Sequence, residues 1–323
     1  MPKILVLKLG ALGDVVMSTA IIRRLQVHHE GDRLTVLTSS PYRDIFSDWP
    51  GIETVSFPRK GLAAAIKTVA WIRGQGFDQV YDLQSNDRSR IYCALSGIPV
   101  RVGNHPAIPY TVHPPDPYTG NCHIFERMNQ VLAAADVSAA EESVYLPVNE
   151  ASKQLVCDWL EHQELMDHSF AIMHAGASHR HPEKCWPYYG ELARRLEERN
   201  IRTVWIGGKD DRVNNRSLAQ SRGIDASGVF SINQLAELAR HARFAVTNDS
   251  GPMHALSGSG IPVFAFFGPT NWRRNHALGQ KPYVMTRQAD DVTGKKIMGP
   301  ESNLENIACE QVIERLQGHN LLG

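Results

Sequence analysis

The chain has 323 residues, 42% of them hydrophobic and 21% charged, with a formal net charge of zero. That length suits two domains, each with a sizeable core, and a neutral chain has no global field to draw it to nucleic acid or to an anionic membrane. Five scattered cysteines without a C-x-x-C pair argue against a disulfide framework or a zinc site and point to a reducing compartment. The apolar run after Met1-Pro2-Lys3 is too short for a signal peptide. No stretch approaches the ~18 apolar residues of a membrane span. The expectation is a cytoplasmic protein able to sit peripherally at a membrane.

Residues Lys3 to Leu9 read as a buried parallel strand, Gly10 to Asp14 as a strand-to-helix loop, and Val15 to Leu25 as a helix leading to a second strand, Leu34 to Thr38. This is a βαβ unit, but Gly10-x-x-Gly13 does not match the G-x-G-x-x-G spacing of dinucleotide binding. Asp14 falls at a helix N-terminus, where a carboxylate either complements the helix dipole or faces the crevice at the strand edge. A strand at Val55 to Phe57 precedes Arg59-Lys60 and a helix from Gly61 to Gly74. Gln79 to Leu83 is another buried strand, followed by a polar loop, Gln84 to Arg90, and a helix at Ile91 to Leu95. After a strand at Val100 to Gly103, the Pro-, His- and Tyr-rich segment Asn104 to Cys122 reads as a long loop of the functional or mobile kind. Arg101, His105 and His113 there could meet an anion. A helix from His123 to Ala135 and a linker at Leu146 to Glu150 close the first half.

The second half repeats the pattern. Phe170 to His174 is its first strand, and the loop Ala175 to Pro187 carries Ser178 and Lys184. Tyr188 to Arg199 is an amphipathic helix and Arg202 to Ile206 a strand ending in Gly207-Gly208, where a ligand can approach the backbone closely. Asp210 and Asp211 follow. Phe230 to Asn233 introduces a helix over Gln234 to Ala242. Phe244 to Val246 is a strand. Asp249 or Ser250 then caps a helix with Gly251 in the turn and Pro252 at a first helical position. Such a helix N-terminus is an anion site, most often for phosphate. Val263 to Phe267 is the next strand, Trp272 to His276 a loop, and Glu305 to Leu316 a tail helix.

Three strings in order carry a resemblance: KLGALGDVVMSTAII (residues 8–22), the loop ending in Lys184-Cys-Trp-Pro187, and NDSGPMHAL…SGIPVFAFFGPT (residues 248–270). They are similar to glycosyltransferase family 9, the heptosyltransferases of lipopolysaccharide core assembly. The resemblance spans nearly the whole chain. It implies an α/β fold of the GT-B type, two Rossmann-like domains facing each other across a cleft. The expected domains are residues 1–148 for the acceptor and 149–304 for the nucleotide-sugar, with residues 305–323 packing back on the first.

The implied reaction is an inverting, metal-independent displacement with ADP-heptose as donor and an anionic glycolipid, through its Kdo or heptose, as acceptor. No cofactor, metal or nucleic acid is implied. By this resemblance Asp14 is the catalytic base. Gly13, Ser178, Lys184, Gly207, Gly208, Asp210 (or Asp211), Phe230, Asp249, Ser250, Gly251 and His254 bind the donor. Arg59, Lys60, Gln84, Arg88 and Arg101 are the acceptor-side candidates. Many family members have His three residues after the base, where this chain has Met17. Two other readings stand beside this one: a family 9 transferase using another nucleotide-sugar for capsule or O-antigen, and a non-catalytic nucleotide-sugar-binding protein.

Overall fold

The computed structural model describes all residues except 107, 117–121, 179–180, 290–293, 295 and 323. The chain divides into two compact units, Met1–Pro147 and Val148–Gly323. Within the first, the elements run β1 (Lys3–Leu7), α1 (Leu12–His28), β2 (Arg33–Ser39), β3 (Ile52–Phe57), α2 (Leu62–Gln75), β4 (Gln79–Asp82), α3 (Asp87–Leu95), β5 (Val100–Val102) and α4 (Ile124–Ala134). The five strands form one parallel sheet in the order β3-β2-β1-β4-β5. Chain order reverses between β1 and β4, and open parallel sheets present ligands at the carboxyl ends flanking such a point. β1 is buried on both faces, as its unbroken apolar run requires. α1 is buried from Val15 through Ile22, so its polar residues need internal partners. Ser18 and Thr19 donate to the carbonyls of Val15 and Val16 at 2.7 Å, and Thr19 Oγ1 also accepts the Tyr145 N–H at 3.0 Å.

The second unit contains α5 (Glu150–His162), β6 (Phe170–His174), α6 (Tyr189–Glu197), β7 (Arg202–Trp205), α7 (Arg212–Ser221), β8 (Ile224–Asp225), α8 (Ile232–His241), β9 (Phe244–Asn248), α9 (Gly251–Ser257), β10 (Val263–Phe267), α10 (Trp272–Asn275), β11 (Val284–Thr286) and α11 (Cys309–Gly318). Its parallel sheet has the order β11-β10-β9-β6-β7-β8, reversing between β6 and β9. The period-two geometry of a strand sorts β10 into two cores. Phe264 and Phe266 join Trp186, Leu192 and Leu196 on one face, while Val263, Ala265 and Phe267 join Val156, Leu238 and Met253 on the other.

Three expectations change. The loop expected at Trp272 to His276 contains the short helix α10, whose Asn271 cap accepts the Arg273 N–H at 3.0 Å. α3 begins at Asp87, because Asn86 and Ser89 form a reciprocal cap, so Arg88 and Arg90 sit in a helical first turn. The tail helix starts at Cys309. Expected to return to the first half, it buries Val312, Ile313 and Leu316 in the same second-unit core as α6. That apolar stripe completes a sheet face that α6 alone leaves uncovered, and His319 beyond it stands edge-on to Phe264, ring centroids 5.6 Å apart. No described helix is long and apolar enough to cross a membrane.

Leu316→Ala should therefore destabilise the second unit by about 2–5 kcal/mol, the range for a fully buried leucine. Hydrogen exchange should quicken in α6 and β10 and stay unchanged in β1 to β5; acceleration in the first sheet would return the helix to the first unit.

Candidate active site

At the carboxyl edge of the first sheet, Asp14 lies in the first turn of α1, half-buried, behind an N-cap (Ala11) that supplies no side-chain bond. Among the described residues none donates a hydrogen bond to its carboxylate. Gly13 sits beside it inside the helix. Met17, one turn on, is 1% exposed, so it packs in the core.

The loop carrying Asp14 is held from β4. Gln84 Oε1 accepts the N–H groups of Leu9 and Gly10 at 2.8 and 3.0 Å. The side chain expected to meet the acceptor thus has its oxygen committed to this loop. Asp82, fully buried, accepts the Gln84 and Ser85 N–H groups, both at 2.9 Å, and the Tyr110 hydroxyl at 2.5 Å. Burial raises its pKa, opposed by those hydrogen bonds.

Lys8 is buried and donates to the Leu83 carbonyl at 3.1 Å. Desolvation pushes the Lys8 ammonium below the usual lysine value, Asp14 and Asp82 pull it back, and Arg127 adds repulsion. Lys8 is thus a buried amine whose charge state is coupled electrostatically to the Asp14 carboxylate.

The basic candidates separate. A Cβ at Gly10, where φ is +140°, would lie 2.8 Å from the Tyr42 ring and 3.3 Å from Arg59 Nη1, so the Arg59 guanidinium reaches the loop before Asp14. Arg88 donates to the Arg59 carbonyl, and Lys60 is exposed next to it. Arg101 does not face outward as expected. Its guanidinium folds onto the carbonyls of Ile98 and Pro109, closing the turn beside the three-residue edge strand β5. Arg90 donates to the Ile108 carbonyl at 3.3 Å, and His113 Nδ1 lies 2.8 Å from the Pro114 carbonyl. His105 lies exposed in the same segment.

At the carboxyl edge of the second sheet, the organising side chain is Asn248, fully buried at the end of β9. Its Oδ1 accepts the Trp186 N–H at 3.0 Å and the Tyr189 hydroxyl at 3.1 Å. Its Nδ2 donates to the carbonyls of Ala175 and Gly176 at 2.9 and 3.0 Å. All of a carboxamide's strong hydrogen-bonding sites are used. Trp186 is further pinned by its indole N–H to the Ile307 carbonyl, 2.8 Å, and by stacking on Phe266 at 4.3 Å. The loop between them has little choice of course, and it delivers Lys184 Nζ to Asp249 Oδ2 at 2.6 Å, with side chains 21% and 9% exposed. His179 and Arg180 of this loop lie outside the described residues. Ser178 is exposed at its start.

Ser250 is the N-cap of α9 by position, but its side chain makes no cap bond; Oγ lies 3.0 Å from His174 Nδ1 instead. His174 ends β6, is 3% exposed, and turns Nε2 toward Asp211 Oδ2 at 3.9 Å. Burial lowers the His174 pKa, and the Asp211 charge opposes that.

Asp211 also accepts the Gly208 N–H at 2.8 Å. A Cβ at Gly176 would stand 2.0 Å from Asp211 Oδ1, and one at Gly207 2.6 Å from its Oδ2, whereas at Gly208 the nearest atom is 3.8 Å away. Gly207 is therefore glycine to admit the Asp211 side chain, and Asp210 is exposed. Phe230 packs edge-on to Trp159, ring centroids 5.1 Å apart, and His254 is buried in α9. Among the described residues, no group of three or more His, Cys, Asp or Glu side chains could hold a metal ion.

Residue reading missed His174, Asn248, Lys8, Asp82 and Tyr110. The available signal was a polar or charged residue closing an apolar strand at its carboxyl end, as Lys8, Asp82, His174 and Asn248 all do. Tyr110 had no such signal.

Residues 66–298 match the sequence profile of glycosyltransferase family 9 (heptosyltransferase). The chain is 24% identical to lipopolysaccharide heptosyltransferase 2 of Escherichia coli K12, over 97% of each chain. Among solved structures, it is similar to a glycosyl transferase family 9 protein from Veillonella parvula (TM-score 0.83, 21% identity, 99% and 97% of the two chains). It is also similar to E. coli ADP-heptose LPS heptosyltransferase II (TM-score 0.76, 23% identity, 99% and 98%). The fold of two parallel α/β units is the GT-B fold of such structures.

Two measurements probe the second edge. Asn248→Ala strands several buried backbone and hydroxyl groups and should lower the unfolding free energy by about 3 kcal/mol or more in urea titration. His174, whose pKa is lowered by folding, binds fewer protons folded than unfolded below its unfolded value near 6.5. Stability should thus fall as pH drops below that value, by at most about 1.4 kcal/mol per pH unit from this group. Melting from pH 7.5 to 5 should show a shallower slope in His174→Gln than in wild type.

Proposed function

The chain belongs to glycosyltransferase family 9, the heptosyltransferases, and on that premise we propose that it moves a heptose from ADP-heptose to a lipopolysaccharide inner-core acceptor (Kdo or heptose) by an inverting, metal-independent displacement. The observation that carries the reading is the Asp14 carboxylate: at a strand's carboxyl edge, half-buried, and without a hydrogen-bond donor among the described residues. A carboxylate that only capped its helix would accept a backbone N–H there. This one keeps its lone pairs for a substrate proton.

Asp14 takes the proton of the acceptor hydroxyl as that oxygen attacks the anomeric carbon, and ADP leaves from the opposite face. General-base assistance of this kind contributes roughly 10²–10⁴-fold in rate. Charge growing on the leaving diphosphate is met by Lys184, held in place by Asp249, and by the Ser250 hydroxyl and the N–H groups of the Ser250-Gly251 turn. With only seven residues, α9 adds a modest dipole, so the ammonium carries more of this task. Gly13, Ser178, Gly208, Asp210, Phe230 and His254 remain donor-side candidates. On the acceptor side, Arg59, Lys60 and Arg88 are the basic groups suited to an anionic glycolipid. Arg101 and the Gln84 oxygen are occupied in the scaffold.

The names of the relatives support the donor: one similar solved structure is E. coli heptosyltransferase WaaC with ADP, at TM-score 0.73 and 15% identity over 98% of this chain. The test is turnover of ADP-heptose with a truncated core acceptor, read as ADP release and product mass. Wild type should transfer with inversion, and Asp14→Asn should lose about 10²–10⁴-fold in kcat while donor affinity stays within twofold. Tight ADP-heptose binding without transfer to any core acceptor would favour a non-catalytic binder. Turnover only with another nucleotide-sugar would reassign the donor.

A further inference from the structure

The chain Ser250–His174–Asp211 is not explained by capping or by packing. A neutral imidazole has one N–H and two polar neighbours here: Ser250 Oγ at 3.0 Å from Nδ1 and Asp211 Oδ2 at 3.9 Å from Nε2. The carboxylate is within charge–charge range but beyond hydrogen-bond length. The Asp211 charge favours the neutral tautomer with its hydrogen on Nε2, since the other would turn an Nε2 lone pair toward the carboxylate; Nδ1 must then accept the Ser250 hydroxyl hydrogen. Ser250 then shows a ligand only lone pairs, which repel a phosphate oxygen. With both nitrogens protonated, Nε2–H points to Asp211, Nδ1–H donates to Ser250 Oγ, and the hydroxyl hydrogen is released to donate outward. The molecule is built to hold Asp211 at this post: Gly176 and Gly207 lack the Cβ atoms that would displace it, and the Gly208 N–H fixes one oxygen.

We propose that His174 is a positioning residue whose protonation is coupled to donor binding: when the diphosphate of the nucleotide-sugar reaches Ser250, His174 takes one proton from solvent, and its imidazolium turns the Ser250 hydroxyl into a phosphate donor. No bond other than those to hydrogen changes; solvent buffer supplies the proton and recovers it when ADP leaves. The added negative charge of the diphosphate and the standing charge of Asp211 both favour the imidazolium over its desolvation. Among the described residues, the Lys184–Asp249 pair, whose charges offset each other, stands in the same neighbourhood, as does the Cys185 thiol, whose pKa burial and Asp211 raise. The inference rests on reading Ser250 as a ligand of the donor diphosphate.

The experiment is calorimetric titration of ADP-heptose at pH 7 in buffers of different ionisation enthalpy. The ligand suits the purpose because its diphosphate, esterified at both ends, has no ionisation near neutrality. Wild type should show net uptake approaching one proton per ligand, and its affinity should weaken by up to tenfold per unit as pH rises from 7 to 8. In His174→Gln both the uptake and the pH dependence should vanish. Asp211→Asn removes the counter-charge without changing shape and should shift the uptake to lower pH, which carries the test if the buried His174 variant does not fold. Binding without proton uptake in wild type overturns the proposal and leaves the donor reading intact. So does uptake that persists in His174→Gln. Absence of ADP-heptose binding overturns both.

Discussion

The second unit depends on one buried carboxamide. Asn248 has no exposed surface, and its four hydrogen bonds reach three segments distant in sequence: the end of β6, the loop at Trp186, and Tyr189 of α6. A buried carboxamide is tolerable only when fully satisfied. Because full satisfaction requires all three segments at once, the same side chain sets the course of the loop carrying Lys184 and the exit of β9 that carries Asp249 and Ser250. Neither aspartate, lacking donors, nor leucine, lacking both, could replace it.

The first unit solves the same problem with different residues. There the side-chain amide is Gln84, which closes the backbone of the β1 exit, and the buried anchor is Asp82, which closes the β4 exit. Parallel strands leave their last N–H groups without sheet partners at the carboxyl edge, where the loops must be shaped. In both units a polar side chain from an adjacent strand end supplies the missing acceptor. The residues proposed for the chemistry follow one residue or one turn further on: Asp14 beyond the loop that Gln84 holds, Asp249 and Ser250 beyond Asn248. Each edge is thereby a rigid backbone that presents polar groups without needing to reorganise.

Charge around these edges is balanced locally, in keeping with a chain of zero formal net charge. Lys8 is flanked by Asp14 and Asp82, Lys184 by Asp249, and His174 by Asp211. A partly buried pair of this kind is held by geometry more than it adds to stability. Its effect in the free protein is that no buried charge is left without a counter-charge nearby.

Much of this was legible in the amino-acid order. Apolar runs of four to seven residues separated by helical patterns read as buried parallel strands with crossover helices, because the runs are too short for helices and apolar on both faces. The three motifs, read together, indicated the family; Asp14, Asp249 and Ser250 follow strand ends closely, whereas Lys184, ten residues beyond β6, was singled out by the resemblance alone. What the order could not decide was which polar residues face a ligand and which hold the scaffold. Gln84 and Arg101 look like ligands in sequence and are bound to backbone carbonyls and N–H groups in three dimensions; Gly207 looks like room for a ligand and is room for Asp211. His174, two residues before Gly176 and 37 before Asp211 in the numbering, gains its neighbours only when β6, β7 and β9 lie side by side. Hydrogen-bond partners far apart in sequence are chosen by sheet order and register, and those are properties of the tertiary fold.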